Sequence, residues 1–379
     1  MDALLAYLRA QRDELISLIK TFAACESPSD DPAALARFAD LISDAFVGQA
    51  VSPVRTRGPH LQFELLLPGP SRKQGQILLL GHYDTVFPCG TLASMPVRQD
   101  GDRLYGPGVF DMKAGIAMAV FAARALRELD LPVRRRVLLQ LNADEEIGSP
   151  SSKALTERNA RRSAAVLVLE PAAGADGKLK TARKGVGDYT VTVRGRAAHA
   201  GADFSAGASA VLELARQLPR IAAFTNLKRG ITVNPGVISG GSRPNVVPAE
   251  ARAEIDVRVL RLRDAAPLDR RLRALRPFDQ RCTLEVTGGL NRPPLERTAA
   301  VRRLFRLAQS LAAELGFPLG ETTSGGGSDG NFTAALGIPT LDGLGAIGDG
   351  MHAPSEHILL EPLPARTALL AKLLQALYY

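Results

Sequence analysis

The chain has 379 residues, 46% of them hydrophobic and 23% charged, which is enough for two domains with a large core and excludes a disordered chain. Its net charge of +8 is carried by dispersed arginines, as in VRRRV, ERNARRS and LDRRLRALR; with 5% aromatics and no tryptophan there is little to stack bases, so nucleic acid is not an expected partner. The apolar runs are too short to cross a bilayer, and the three cysteines, Cys25, Cys89 and Cys282, are too scattered for a disulfide framework, so a cytoplasmic protein without a membrane partner is expected.

In chain order, the stretch MDALLAYLRAQRDELISLIK carries acidic residues early and lacks a continuous apolar core, so it is not read as a signal peptide. Leu15, Ile16, Ile19 and Phe22 instead fit one face of an amphipathic helix. Residues 76–80, 137–141 and 164–169 are short apolar runs, and residues 113–129 have helical periodicity with alanine filling. Strands alternating with helices predict a mostly parallel sheet covered on both faces.

The pattern changes near Lys184. Residues 189–193 alternate as a half-exposed strand, 207–218 read as a helix, 232–239 and 251–259 as strands, 265–275 as a helix and 283–287 as a strand. That order predicts a ferredoxin-like α+β unit, closed by the turn at Asn291-Arg292-Pro293-Pro294. Helical periodicity resumes at 298–315 and again at 363–377. The expected organisation is therefore an α/β domain made of residues 1–185 and 295–379, with residues 186–294 inserted as a second domain.

The chemistry gathers where the apolar runs end. Leu80 gives way to Gly81-His82-Tyr83-Asp84, Leu141 to Asn142-Ala143-Asp144-Glu145-Glu146, and Leu169 to Glu170; Asp111 stands in GPGVFDMKAG just before the long helix. In open α/β sheets ligands bind outside the carboxyl ends of the strands. Singly, each residue has a plain structural reading. His82 is a hydrogen-bonded histidine, Asp84 caps a turn, Asp111 caps the helix near Lys113, and Glu145 and Glu146 are an exposed pair before a helix capped by Ser149. Together they would repel one another at one sheet edge, and a metal is the usual remedy. Imidazole and carboxylate donors without cysteine suit zinc, and also cobalt or manganese. His199 and His352 also lie in glycine-rich loops; His357 reads as structural, and His60 has no evident partner.

The stretches GHYDTVF, GPGVFDMKAG, NADEEIGS, LEPA, GRAAHAG, NVVPAEARAEIDVR, SGGGSDGN and GMHAPSEH, in that order, resemble the zinc aminopeptidase, aminoacylase and carboxypeptidase family that includes succinyl-diaminopimelate desuccinylase, and within it the glutamate carboxypeptidase (carboxypeptidase G) branch. The resemblance implies a dizinc catalytic domain with an inserted lid or dimerisation domain, and a homodimer. It implies that His82 and Glu170 bind one zinc, Glu146 and His352 the other, and that Asp111 bridges them through a turn with a non-proline cis peptide after it. It makes Asp84 the acid that orients His82, Glu145 the general base and later acid, and His199 the support of the oxyanion, reaching across from the partner subunit in dimeric relatives. Asn245 and Arg258 would hold a free substrate carboxylate, Arg292 would add a contact in the glutamate-releasing branch, and Gly326 lies in a loop that lets the substrate backbone approach. For Arg258 and Arg292 a surface arginine is the alternative. The implied activity is release of a C-terminal amino acid, glutamate first, from an N-acyl amino acid or peptide; aminoacylase, dipeptidase, N-deacylase and a non-catalytic binding relative are the alternatives.

Overall fold

The computed structural model describes residues 2–47, 51–54, 58–69 and 75–377. The chain divides into two compact units, one of Met1–Ala182, Arg297–Ser324 and Ser328–Tyr379, the other of Arg183–Glu296 with Gly325–Gly327.

The first unit is built on a six-stranded sheet. Its strands are β1 (Val51–Pro53), β2 (Leu61–Leu65), β3 (Gln76–His82), β4 (Val137–Asn142), β5 (Ser163–Val168) and the short strand Thr340–Leu341, in the order β1-β2-β4-β3-β5-Thr340–Leu341. β3 pairs in parallel with both β4 and β5, and the Thr340–Leu341 strand runs parallel to β5; β2 alone runs the other way, antiparallel to both its neighbours, β1 and β4. The continuous run Ile77–Leu80 follows from burial on both faces. Ile77 and Leu79 belong to the larger core, with helices α1 (Ala3–Ala10), α2 (Arg12–Ala23), α3 (Pro32–Phe46), α4 (Ala114–Glu128), α8 (Ala299–Glu314) and α9 (Leu363–Ala376). Leu78 and Leu80 face the other way, into a smaller core with Leu138, Val166 and Val168. The predicted face of Leu15, Ile16, Ile19 and Phe22 is buried on α2.

Helix α4 starts one residue later than its periodicity suggests, after the tight turn Val109–Lys113. Gly115 in its first turn allows the approach this needs, since a Cβ there would lie 2.2 Å from Leu169 O. The turn that carries Asp111 is thereby pressed against the end of β5, where Glu170 follows.

The second unit contains β6 (Gly185–Arg194), α6 (Ala210–Ala222), β7 (Thr232–Gly240), β8 (Glu250–Val259), α7 (Leu262–Arg273) and β9 (Thr283–Arg292). Its sheet is antiparallel in the order β7-β8-β6-β9, which is the ferredoxin-like arrangement. The last strand runs through Asn291 and Arg292, so the expected turn there begins only at Pro293. Among the described residues no helix is long and apolar enough to cross a membrane.

Candidate metal centre and its surroundings

Three parallel strands deliver the first groups. β3 ends on His82, β4 ends on Asn142 opposite it, and β5 ends two residues before Glu170. His82 Nε2 lies 3.1 Å from Asp111 Oδ1 and 3.4 Å from Glu170 Oε1. His352 Nε2 lies 3.3 Å from Asp111 Oδ2 and 3.3 Å from Glu146 Oε1. The two oxygens of Asp111 therefore face two different imidazoles, each with a further carboxylate beside it.

Asp111 has non-helical backbone angles, the Asp111–Met112 peptide is cis, and α4 has no side-chain cap, so the helix-cap reading of Asp111 fails. Helix α5 (Lys153–Ala160) likewise starts without a side-chain cap; Ser149 Oγ donates to Asp329 Oδ1 instead. His357 lies in a short strand, with Nδ1 2.9 Å from Ser355 O and its ring 5.1 Å from that of Tyr105, the structural role expected of it.

The electrostatics are those of a cation site. Burial works against a charged His82, but the carboxylates of Asp111, Asp84 and Glu170 outweigh it and hold its pKa well above the usual value. Asp111 and Glu146 push His352 up to about 10. Burial works against ionised Asp111, yet the two histidines lower it below the normal carboxylate range, while Glu146 is raised by its burial. Glu146 Oε1 is buried and makes no hydrogen bond. Donor atoms at about 2.0–2.1 Å from one tetrahedral ion stand roughly 3.3 Å apart. The distances from His82 to Asp111 and Glu170, and from His352 to Asp111 and Glu146, match that spacing, and the donor chemistry fits zinc, cobalt or manganese. One donor atom from each of His82, Asp111 and Glu146 also lies within 4.8 Å of the other two.

Asp84 is fully buried and stands behind this cluster. The hydrogen-bond partner of His82 Nδ1 is its backbone carbonyl, at 3.0 Å, while its carboxylate Oδ1 is 3.4 Å away. The carboxylate itself accepts from the backbone N–H of Glu145 at 3.2 Å and of Glu146 at 3.1 Å, and from Ser29 Oγ at 2.7 Å. It orders the Glu145–Glu146 pair as much as His82.

Two further acids were not singled out from the sequence, although both stand in the quoted motifs. Asp329 accepts from Asn142 Nδ2 at 2.6 Å and from Ser149, tying the end of β4 to the loop after Glu146. Glu356 Oε1 accepts from the N–H groups of Phe110 at 2.8 Å and Asp111 at 3.1 Å, and burial pushes its pKa up to about 7. Only the fold brings these acids to their partners.

The remaining candidates lie in the second unit, in two groups. His199 and Asn245 sit side by side: His199 bridges to Val246, and Ala200 N donates to Asn245 O at 3.0 Å. His199 Nδ1 accepts from the N–H groups of Gly201 and Ala202, which leaves the proton on its exposed ring edge at Nε2. Arg258 and Arg292 flank Val186 on the two neighbouring strands. Arg183 donates to Gly326 O and Gly327 O, and a Cβ on Gly327 would come within 3.2 Å of Arg292 Cδ, so Gly326 belongs with the arginines. Arg258 is paired with Asp256, Nη2 to Oδ2 at 2.8 Å. The registers Arg194↔Glu250 and Val186↔Arg258 are eight residues apart along β8, about 27 Å of strand, and Asn245 precedes Glu250. Asn245 and Arg258 of one chain thus do not meet on one carboxylate.

The description of peptidase family M20/M25/M40 matches residues 78–376. The chain belongs to that family. It is accordingly a metal-dependent hydrolase of the peptidase, carboxypeptidase and deacylase kind. It is 28% identical over 378 residues to carboxypeptidase G2 of Pseudomonas sp. (strain RS-16), covering 97% of this chain and 91% of that protein. Its fold is similar to that of aminopeptidase PepT from Bacillus cereus, with a TM-score of 0.79 at 21% identity over 96% of this chain and 98% of that one. It is also similar to a dinuclear metal-binding peptidase of the M20 family from Bacillus subtilis, with a TM-score of 0.70 at 14% identity over 98% and 99% of the two chains.

Proposed function

We propose that this chain is a two-metal carboxypeptidase that hydrolyses an amide bond to release a C-terminal amino acid, glutamate first, from N-acyl amino acids or peptides. The observation that carries the reading is Asp111, whose two oxygens each face one histidine-carboxylate pair, as a bridging carboxylate requires. His82 and Glu170 would hold one zinc, and His352 and Glu146 the other; the Bacillus subtilis relative described as dinuclear is in keeping with this. When bound, the metals supply Lewis acidity and lower the pKa of water. Glu145 stands next to a ligand without being one, and is the general base that takes the proton of the attacking water and returns it to the leaving amine. Asp84 keeps both Glu145 and Glu146 in register through their backbone N–H groups.

His199 would donate from Nε2 to the oxyanion. Its neighbour Asn245 stands far along the sheet from Arg258, so a complete site takes His199 and Asn245 from one subunit and the arginines from another. A homodimer is supported by the edge strand β7, where Val237 and Ile238 are more than half exposed. Beside it runs an apolar groove of about 320 Å³ between α6 and the strand, lined by Val211, Leu214, Leu218 and Ile238. Arg292 and Arg258, near Gly326, would bind the substrate's carboxylates by their planar forks. The free thiols of Cys25, Cys89 and Cys282 suit a reducing, cytoplasmic setting.

The test is release of amino acids from an N-acyl panel by zinc-loaded protein, with Glu145→Ala as control. Release of glutamate or aspartate, lost about 10²–10⁴-fold in Glu145→Ala with metal retained, is expected. Release of aliphatic or aromatic amino acids instead would move the protein to the aminoacylase or dipeptidase reading, and full activity in Glu145→Ala would remove it as base.

A further inference from the structure

His60 takes no part in the chemistry above, yet it is buried to 3% exposure at the entry to β2. The backbone N–H of Ala143 donates to its Nδ1 at 3.3 Å. That nitrogen must offer its lone pair, so the ring proton sits on Nε2, which lies 3.1 Å from Ser151 Oγ and donates to it. Ser151 Oγ in turn donates to Asp144 Oδ2 at 2.7 Å. The same carboxylate oxygen accepts from the N–H groups of Ser151 at 2.7 Å and Ser152 at 3.2 Å. Histidine, serine and aspartate are thus in contact, but the protons run the wrong way for a nucleophile. An activated serine donates its hydrogen bond to the histidine, whereas here it accepts one from it.

The geometry assigns a different task. Ala143 immediately precedes, and Ser151 closes, the loop that carries Glu145 and Glu146. The two nitrogens of one rigid ring grip the two stems of that loop and fix their separation. Burial, the largest influence on His60, lowers its pKa and favours the neutral ring that this pattern needs; Asp144, Asp329 and Asp84 oppose it. Asp84 holds the N–H groups at the tip, Asp329 holds Ser149, and His60 joins entry to exit alongside the Asp144 carboxylate, which accepts from Ser151 and Ser152.

We propose that His60 is a positioning residue, a neutral imidazole clasp that sets where the Glu145 carboxylate stands. The proposal rests on the reading of Glu145 as the general base. A misplacement of about 1 Å at a reacting group can cost on the order of 10²-fold in rate.

The test uses the zinc-saturated full chain, N-acetyl-L-glutamate as substrate, and hydrogen exchange at residues 143–152. His60→Leu fills the space without either hydrogen bond. It should lower kcat by about 10- to 100-fold per metal-loaded site with KM little changed, and speed exchange at Glu145–Gly148. His60→Gln, whose amide offers an acceptor and a donor at nearly the ring's spacing, should recover most of both losses. Should His60→Leu fail to fold, Ser151→Ala, which removes the His60 contact together with the hydroxyl's bond to Asp144, should move kcat and exchange the same way. Lower folded yield with wild-type kcat and exchange in either variant would make His60 merely structural and overturn the proposal. Wild-type turnover in Glu145→Ala would instead defeat the base reading, and exchange alone would then decide for or against the clasp.

Discussion

Replacing Asp84 by asparagine exchanges one oxygen for an amide at a point where several restraints cross. The carboxylate accepts from Glu145 N, Glu146 N and Ser29 Oγ, with its two oxygens divided between the two backbone donors. Asparagine has one acceptor oxygen, so one loop N–H is left facing an NH2 group. A buried donor without a partner costs about 1–3 kcal/mol, while Ser29 can rotate its hydroxyl to accept from the new amide. For a domain of this size that loss lowers the melting temperature by about 2–12 °C. His82 should be disturbed less, because its Nδ1 is bonded to the Asp84 backbone carbonyl at 3.0 Å, which the substitution keeps. Metal affinity should therefore fall by about 10-fold, at the low end of the range for lost outer partners of a metal ligand. Thermal unfolding of metal-free protein and competition with a chromophoric chelator measure the two effects separately. A wild-type melting temperature together with a loss of affinity far beyond tenfold would refute the reasoning, since the carboxylate would then act on His82 and not on the loop.

Chelation should abolish hydrolysis, zinc should restore it, and His82→Ala should bind less metal; full metal content in His82→Ala, by elemental analysis, would remove His82 from the ligands. In metal-free protein, His352 is raised to about 10 by Asp111 and Glu146. A raised histidine stabilises the fold fully below its unfolded value of about 6.5, and that contribution is lost as pH climbs through the folded value. Metal-free protein should thus lose stability between those limits, and His352→Asn should flatten that part of the profile; an unchanged slope in urea titrations across pH would contradict it. Ile238→Lys, on the exposed edge strand, should yield monomers in sedimentation velocity and lower turnover, and a wild-type sedimentation profile would argue against that edge as the dimer contact. Arg292→Ala should raise KM for acidic leaving groups by about 10-fold or more, as loss of a charge-assisted contact of about 1.5–3 kcal/mol requires; equal effects on all leaving groups would deny it a role in selectivity.

Part of this site could be read in the chain because His82 ends one short apolar strand and Glu170 closely follows another. Ile77–Leu80 is buried on both faces, so the apolar pattern is uninterrupted until Gly81 and His82; the strand before Glu146 is buried throughout but carries Gln140, and the strand before Glu170 is buried at all but one residue. The candidate donors here are histidines and carboxylates, which stand out after such runs. Residues that act through others left no such trace. His60 meets Ala143 across 83 residues, Asp329 meets Asn142 across 187, and Glu356 meets Phe110 across 246. Nothing in the spacing of a single chain encodes those encounters.

The sequence by itself determined which strands are buried, where the helices run, the change from a parallel to an antiparallel unit, and which acids and histidines are available for a metal. These follow from local periodicity and residue chemistry. Tertiary structure decided that Asp111 faces two histidines rather than capping α4, and that Asp84 serves the Glu145–Glu146 loop through backbone N–H groups. It also set Asn245 beside His199, and Arg258 beside Val186 opposite Arg292. The reason is that hydrogen-bond direction and strand register are fixed only when distant segments pack, and a side chain's role follows from what that packing turns toward it.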